Sequence, residues 1–94
     1  MNEHEIIEQL KSDGYQKVYV WDAKPGEVDS EHQHDFDVLL VVLEGHIQIT
    51  SYVGDAVIST SHQRGAHINI HKDTPHSASV GPDGCRYIVA EKHF

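Results

Sequence analysis

The sequence holds a single cysteine, Cys85, among its 94 residues, so no internal disulfide can form and a reducing compartment is expected. Basic residues are also few: 7 Lys and Arg stand against 15 Asp and Glu, for a net charge of -8. Such a surface repels phosphate backbones and anionic lipid, which argues against a nucleic-acid or membrane partner. Long apolar runs are missing as well. The longest, Val38 to Leu43, falls far short of the roughly 20 residues that a membrane helix needs. The first residues, MNEHEIIEQL, are acidic and have no apolar signal core, so the expected location is intracellular, in the cytoplasm. There is no Ser-His-Asp set with a nucleophile elbow, no glycine-rich phosphate loop and no Cys-x-x-Cys pair. Cys85 follows the Gly81–Gly84 turn and reads as a small, partly buried side chain rather than a nucleophile.

What is present is a short helix followed by strands. The size leaves room for one core, and no repeat or low-complexity tract interrupts it. Asn2 is the expected N-cap, with Glu5 completing a variant capping box and Met1 stapling onto Ile6. Ile6, Ile7 and Leu10 make one apolar stripe, and Gly14 stops the helix. Strands are expected over Tyr15–Trp21, Val38–Glu44, His46–Tyr52, near Ala56–Ser59, His67–Ile70, His76–Val80 and Cys85–Ala90. Gly81-Pro82-Asp83-Gly84 is expected to make a hairpin connection. Many short strands with regular turns imply a sandwich or barrel. The expected division is a helix over residues 1–14 and a barrel over residues 15–94, one domain in all.

Nine histidines are the unusual part of the composition, and two of them, His32 and His34, stand one residue apart just before the apolar run. Residues two apart on a strand point the same way, so two imidazoles can reach one divalent ion. The same parity turns Phe36, Val38, Leu40 and Val42 inward with them, and sends Leu39, Val41 and Leu43 outward. These three are equally apolar, and exposing them would forfeit about 1.5–3 kcal/mol each. Something must cover that face: the helix, a second sheet layer or a partner subunit, with a homodimer the most economical answer for so small a chain. Asp35 and Asp37 have the opposite parity to the histidines, so neither is expected to coordinate. Glu44 shares the inward parity but sits at the strand end, where solvation is expected.

The spacing around the histidine pair resembles the first signature motif of the cupin superfamily. Gly26, His32, His34 and Gly45 match the pattern G-x5-H-x-H-x3-4-E-x6-G, with Val38 where the pattern has glutamate. A second cupin-like motif follows, in which Gly65 and His76 match G-x5-P-x-G-x2-H-x3-N. There His71 replaces the proline, Asp73 the glycine and Val80 the asparagine. The resemblance implies an all-β fold, the double-stranded β-helix or jelly-roll barrel, here with a short N-terminal α-helix. It also implies three metal ligands: His32, His34 and His76. Imidazole suits iron, manganese, zinc, nickel or copper better than calcium or magnesium.

With Val38 in place of the glutamate, the ion would keep its full charge and favour a small chelating anionic substrate. Some cupin dioxygenases use such an all-histidine site. Two classes of function follow: a metal-dependent enzyme such as an oxygenase, or a non-catalytic small-molecule- or carbohydrate-binding or sensing cupin without metal. His67 and His71 are expected at the surface. His4, His46, His62 and His93 have no motif support, and nothing in the sequence places the possible proton donors Tyr52 and Tyr87.

Overall fold

A computed structural model describes residues 2–93. The chain runs α1 (Glu3–Ser12), β1 (Lys17–Ala23), β2 (Val28–His32), β3 (Asp37–Val53), β4 (Ala56–Gln63), β5 (His67–Ile70) and β6 (His76–Lys92). Asn2 caps α1, its Oδ1 accepting from the backbone N–H of His4 at 2.8 Å and of Glu5 at 3.4 Å. Gly14 follows the C-cap at φ 98°. The staple expected from Met1 lies outside the described residues.

The architecture rests on two 17-residue strands, β3 and β6, paired antiparallel along their lengths. The first half of β3 and the second half of β6 are flanked by β5 and β1. Their other halves are flanked by β4 and β2. Two four-stranded layers therefore share the same two long strands, and the core fills the space between them. This is an antiparallel jelly roll.

Both long strands bend at glycines. Gly45 (φ 82°) pairs with Cys85 beside Gly84 (φ 78°), and the β3–β6 register breaks between Val42 and Glu44 and again between Gly45 and Ile47. The break inserts residues and flips the parity. Val38, Leu40 and Val42 face the core before it, and Ile47 and Ile49 after it. Glu44 falls at the flip and is exposed, as expected for it, but in the interior of β3 rather than at a strand end.

Two strand boundaries expected from turn residues are corrected. Gly45 does not close a strand, because β3 continues through it to Val53. Gly81–Gly84 is not a hairpin connection. Val80 pairs with Ile47 and Cys85 with Gly45, so both flanks run antiparallel to the same strand and the segment between them is a wide bulge in β6. Strand β2 was not expected at all: its residues are exposed throughout and carry no apolar alternation.

The outward apolar face is covered from within the chain. Ile6 and Leu10 of α1 pack with Leu39, Val41, Ile88 and Ala90, flanked by Tyr15, Val18 and Val20. Leu39 is 7 % and Val41 1 % exposed in the single chain. The burial that motivated a dimer is thus supplied by the helix. Arg86 ties the helix start to β1 by donating to Glu3 at 2.7 Å and to Asp22.

Candidate metal centre

The three histidines named from the motifs come together at one end of the core. His32 ends β2 and is the cross-strand partner of His76 at the start of β6. Their ring centroids lie 4.3 Å apart. His34 does not share a strand with His32, as the parity argument assumed; it lies in the connection between β2 and β3. Its centroid is nonetheless 4.9 Å from that of His32 and 5.3 Å from that of His76. One ring nitrogen from each histidine lies within 4.8 Å of the others. The inward direction of Phe36, Val38, Leu40 and Val42 survives, since all four sit in or against the inner core.

Backbone conformation around the site follows from local residue choice. The loop before β6 donates from Asp73 N–H to the His34 carbonyl at 2.7 Å, fastening the two histidine segments together. Asp73 stands at the motif's glycine position and takes φ 61°. Aspartate tolerates this left-handed region better than most residues, which explains how the loop keeps its shape without glycine.

Hydrogen bonds orient two of the rings. His32 Nδ1 lies 2.6 Å from the Ser30 carbonyl, and His76 Nδ1 lies 2.9 Å from the Thr74 carbonyl. A carbonyl can only accept, so each Nδ1 carries a proton, and in the neutral ring the lone pair is on Nε2. Metal-ligating histidines commonly donate their second nitrogen in this way. Metal–nitrogen distances of about 2.0–2.1 Å put neighbouring ligand nitrogens about 3 Å apart, within reach of small ring rotations from this arrangement. The donor set and its orientation fit a divalent ion.

Electrostatics favour the unprotonated form that a metal requires. His76 is buried, and its pKa is lowered by that burial and by His32, against the opposing hydrogen bond to Thr74. His34 is lowered by burial first and then by His32 and His76, with Glu91 and Asp35 opposing. Because both groups hold protons less tightly folded than unfolded, the unfolded chain gains protons first as the pH falls through about 6.5. The metal-free protein should therefore lose thermal stability between pH 7.5 and pH 5. A melting temperature that stayed flat over that interval, followed by circular dichroism, would contradict the burial of these rings.

The cavity beside the histidines has a volume of about 160 Å³, with walls that include Phe36, Val38, Leu40, Ile47 and Ile49. That is smaller than the roughly 300–1,000 Å³ of a drug-sized site, so the cavity has room for a small molecule at most. Tyr87 lines the cavity, and burial, reinforced by Asp29 and Glu27, pushes its hydroxyl pKa up, so it stays protonated. Tyr52 instead lies beside Ser77, with 3.4 Å between their hydroxyl oxygens. Burial likewise raises the Cys85 thiol, which suits a packing role. His67 and His71 are exposed.

Polar wall residues that escaped the reading of the sequence include Glu91, Asp29 on β2 and Tyr19 on β1. A wider groove of about 530 Å³ lies between α1 and β3, bordered by Arg64 and Arg86. Among the described residues, the histidine trio is the one cluster of three that could hold a metal ion, and it is not in that groove.

An antiparallel jelly roll with three convergent histidines in its cavity defines the class. No protein-family model matches the chain, and no curated protein does. Solved structures do. A variant of Bacillus subtilis oxalate decarboxylase superposes with a TM-score of 0.75 at 16 % identity, over 81 % of this chain and 20 % of that one. Lactobacillus farciminis oxalate decarboxylase in complex with formate gives 0.74 at 18 % identity, over 81 % and 23 %. The cupin domain of Drosophila melanogaster CENP-C gives 0.74 at 15 % identity, over 82 % and 57 %. The chain spans about a fifth of the decarboxylases it matches. It has the cupin fold. The Bacillus enzyme has Mn(II) centres, whereas the Drosophila protein has been seen bound to CAL1. A shared fold does not transfer either property.

Proposed function

We propose that this chain is a small metal-binding cupin in which His32, His34 and His76 hold one divalent transition-metal ion and a small molecule occupies the rest of the cavity. The observation that carries this reading is the orientation of His32 and His76. Each gives Nδ1 to a backbone carbonyl, which leaves Nε2 as its candidate ligand atom, and one ring nitrogen of each histidine lies within 4.8 Å of the others. The Mn(II) centres of the Bacillus neighbour support it. An ion bound there would supply Lewis acidity or, for a redox-active metal, electron transfer to a ligand. The chain's own part is to orient the rings through Ser30 and Thr74 and to exclude water with the aliphatic wall. Three neutral imidazoles leave the ion's charge intact, which favours an anionic ligating atom on the small molecule.

Metal identity decides between chemistries. Iron, copper or manganese assigns oxygen chemistry, whereas zinc or nickel assigns a Lewis-acid or structural role. Elemental analysis of protein purified without an affinity tag is expected to find one of these metals at one equivalent per chain. Metal-free protein titrated with the same ions should recover it. If neither preparation holds metal, the reading fails and the pocket belongs to the metal-free binding and sensing class.

A homodimer now rests on a different feature, the edge strand β4. It pairs only with β3, is exposed over most of its length, and has no Lys, Arg, Asp or Glu within Ala56–Gln63. Val57 is 64 % and Ile58 52 % exposed. Such an edge offers free backbone groups to a second copy. Sedimentation equilibrium at micromolar concentration should show the dimer, and Ile58→Lys should return monomer; a wild-type monomer would exclude it. No helix among the described residues is long and apolar enough to cross a membrane. The net charge of -8 argues against a nucleic-acid partner, and the free thiol of Cys85 supports a cytoplasmic setting.

A further inference from the structure

Among the described residues, Glu91 is the one buried carboxylate, at 7 % exposure. It stands on β6 directly opposite Val38 of β3. The parity that turns Tyr87 and Val89 inward turns Glu91 inward with them, into the cavity that holds the three histidines. Val38 occupies the motif position of the missing glutamate. The cavity therefore has a carboxylate after all, supplied from the adjacent strand and outside the ligand cluster.

The side chain is held in place. Glu91 Oε1 lies 2.9 Å from His93 Nε2, and the Tyr19 hydroxyl lies 3.5 Å from Oε2. His93 is fixed in turn. Its backbone N–H donates to Gln16 Oε1 at 2.7 Å, and its carbonyl accepts from Gln16 Nε2 at 3.0 Å. The His93 ring stacks on Phe36 at 4.3 Å between centroids, and Phe36 stacks on His34 at 4.8 Å. Burying a carboxylate is costly even when it is partnered, and an aliphatic side chain would fill this position more cheaply. A carboxylate offers about four acceptor sites, so two bonds leave capacity for a donor on a bound molecule. Asp29 lines the same cavity, which adds a second negative group.

We propose that Glu91 recognises the end of the bound molecule that does not ligate the metal, selecting a small ligand whose far group is an amine or hydroxyl over one whose far group is a carboxylate. The proposal rests on the metal-binding reading above. The ligand class it defines has an anionic ligating atom at one end and a hydrogen-bond donor at the other. A dicarboxylate or other ligand with a second acid group would meet Glu91 and Asp29 with like charge.

The test uses Co(II)-loaded protein and two thiolate probes that differ at the far group, 2-aminoethanethiol and mercaptoacetate. The sulfur-to-cobalt charge-transfer band reports the binding of each. Wild type should bind the amine at least about tenfold more tightly, the scale expected of a charge-assisted hydrogen bond. Glu91→Gln should take up cobalt in the same stoichiometry and lose that preference. Glu91→Asp, which keeps the charge, should restore part of it.

Selectivity unchanged in Glu91→Gln would overturn the proposal, as would a wild-type preference for mercaptoacetate. Loss of cobalt from Glu91→Gln would make Glu91 a ligand and overturn it differently. Wild type that takes up no cobalt would refute the metal reading itself, and the proposal with it. Circular dichroism of each variant separates these outcomes from unfolding.

Discussion

Replacing His76 with alanine should lower divalent-metal affinity by about a thousandfold or more while the barrel stays folded. Loss of a residue that merely orients a ligand already costs 10–100-fold, so loss of a ligand should cost more. His76 is the ligand best placed to show this. It is 5 % exposed, its Nδ1 is tied to Thr74, and it opens β6 opposite His32. With it gone, two imidazoles remain, on a strand end and a loop, and neither can enclose an ion. The fold should survive because its stability resides in the two apolar clusters, neither of which includes His76. His32→Ala and His34→Ala should behave alike. Isothermal titration of the metal-free variants, with a thermal melt of each, reads both effects. Full retention of metal in His34→Ala and His76→Ala would show that these histidines do not hold the ion.

Gly45→Ala should destabilise the fold severely, by about 2–5 kcal/mol. A Cβ at this position would lie 2.0 Å from the Gly84 carbonyl oxygen, 2.9 Å from its carbon and 3.0 Å from Cys85 Cα. All three are backbone atoms, so no side chain can swing away to make room. The residue also sits at φ 82°, a region costing roughly 1–2 kcal/mol for a residue with a Cβ. Overpacking adds about 1–3 kcal/mol. Against a total stability of about 5–14 kcal/mol for a domain of this size, such a loss removes a large share of it. Gly54→Ala is the control. It too has positive φ, at 61°, but a Cβ there meets nothing within 4 Å, so only the backbone cost of about 1–2 kcal/mol should appear. Urea unfolding midpoints compare the two. Similar losses would mean that the Gly45–Gly84 crossing can relax.

The candidate ligands were legible because motif spacing survives however the chain bends between the histidines. A continuous strand would put His32 and His34 on one face. His34 lies beyond β2, yet the three rings still converge. Strand β2 was invisible for a physical reason: the edge segment Val28–His32 adds no residue to the apolar core and needs no alternation. Gly81-Pro82-Asp83-Gly84 reads as a turn by residue type, and locally it is irregular. Only its pairing with β3 on both sides shows that the chain does not reverse there.

The sequence by itself determined that this is a small, acidic, strand-rich chain and that one apolar strand must be covered on both faces. Those are properties of composition and of short-range periodicity, and no long-range contact can alter them; the candidate set His32, His34 and His76 came instead from resemblance to the cupin motifs. Tertiary structure alone decided that α1 rather than a partner covers Leu39 and Val41, and that Glu91 enters the cavity Val38 leaves without a carboxylate. Both depend on register between segments far apart in the chain. A bulge of a few residues at Gly45 and Gly81–Gly84 inverts the facing of everything beyond it, and the length of such a bulge is set by how β3 and β6 pack, not by the residues within it.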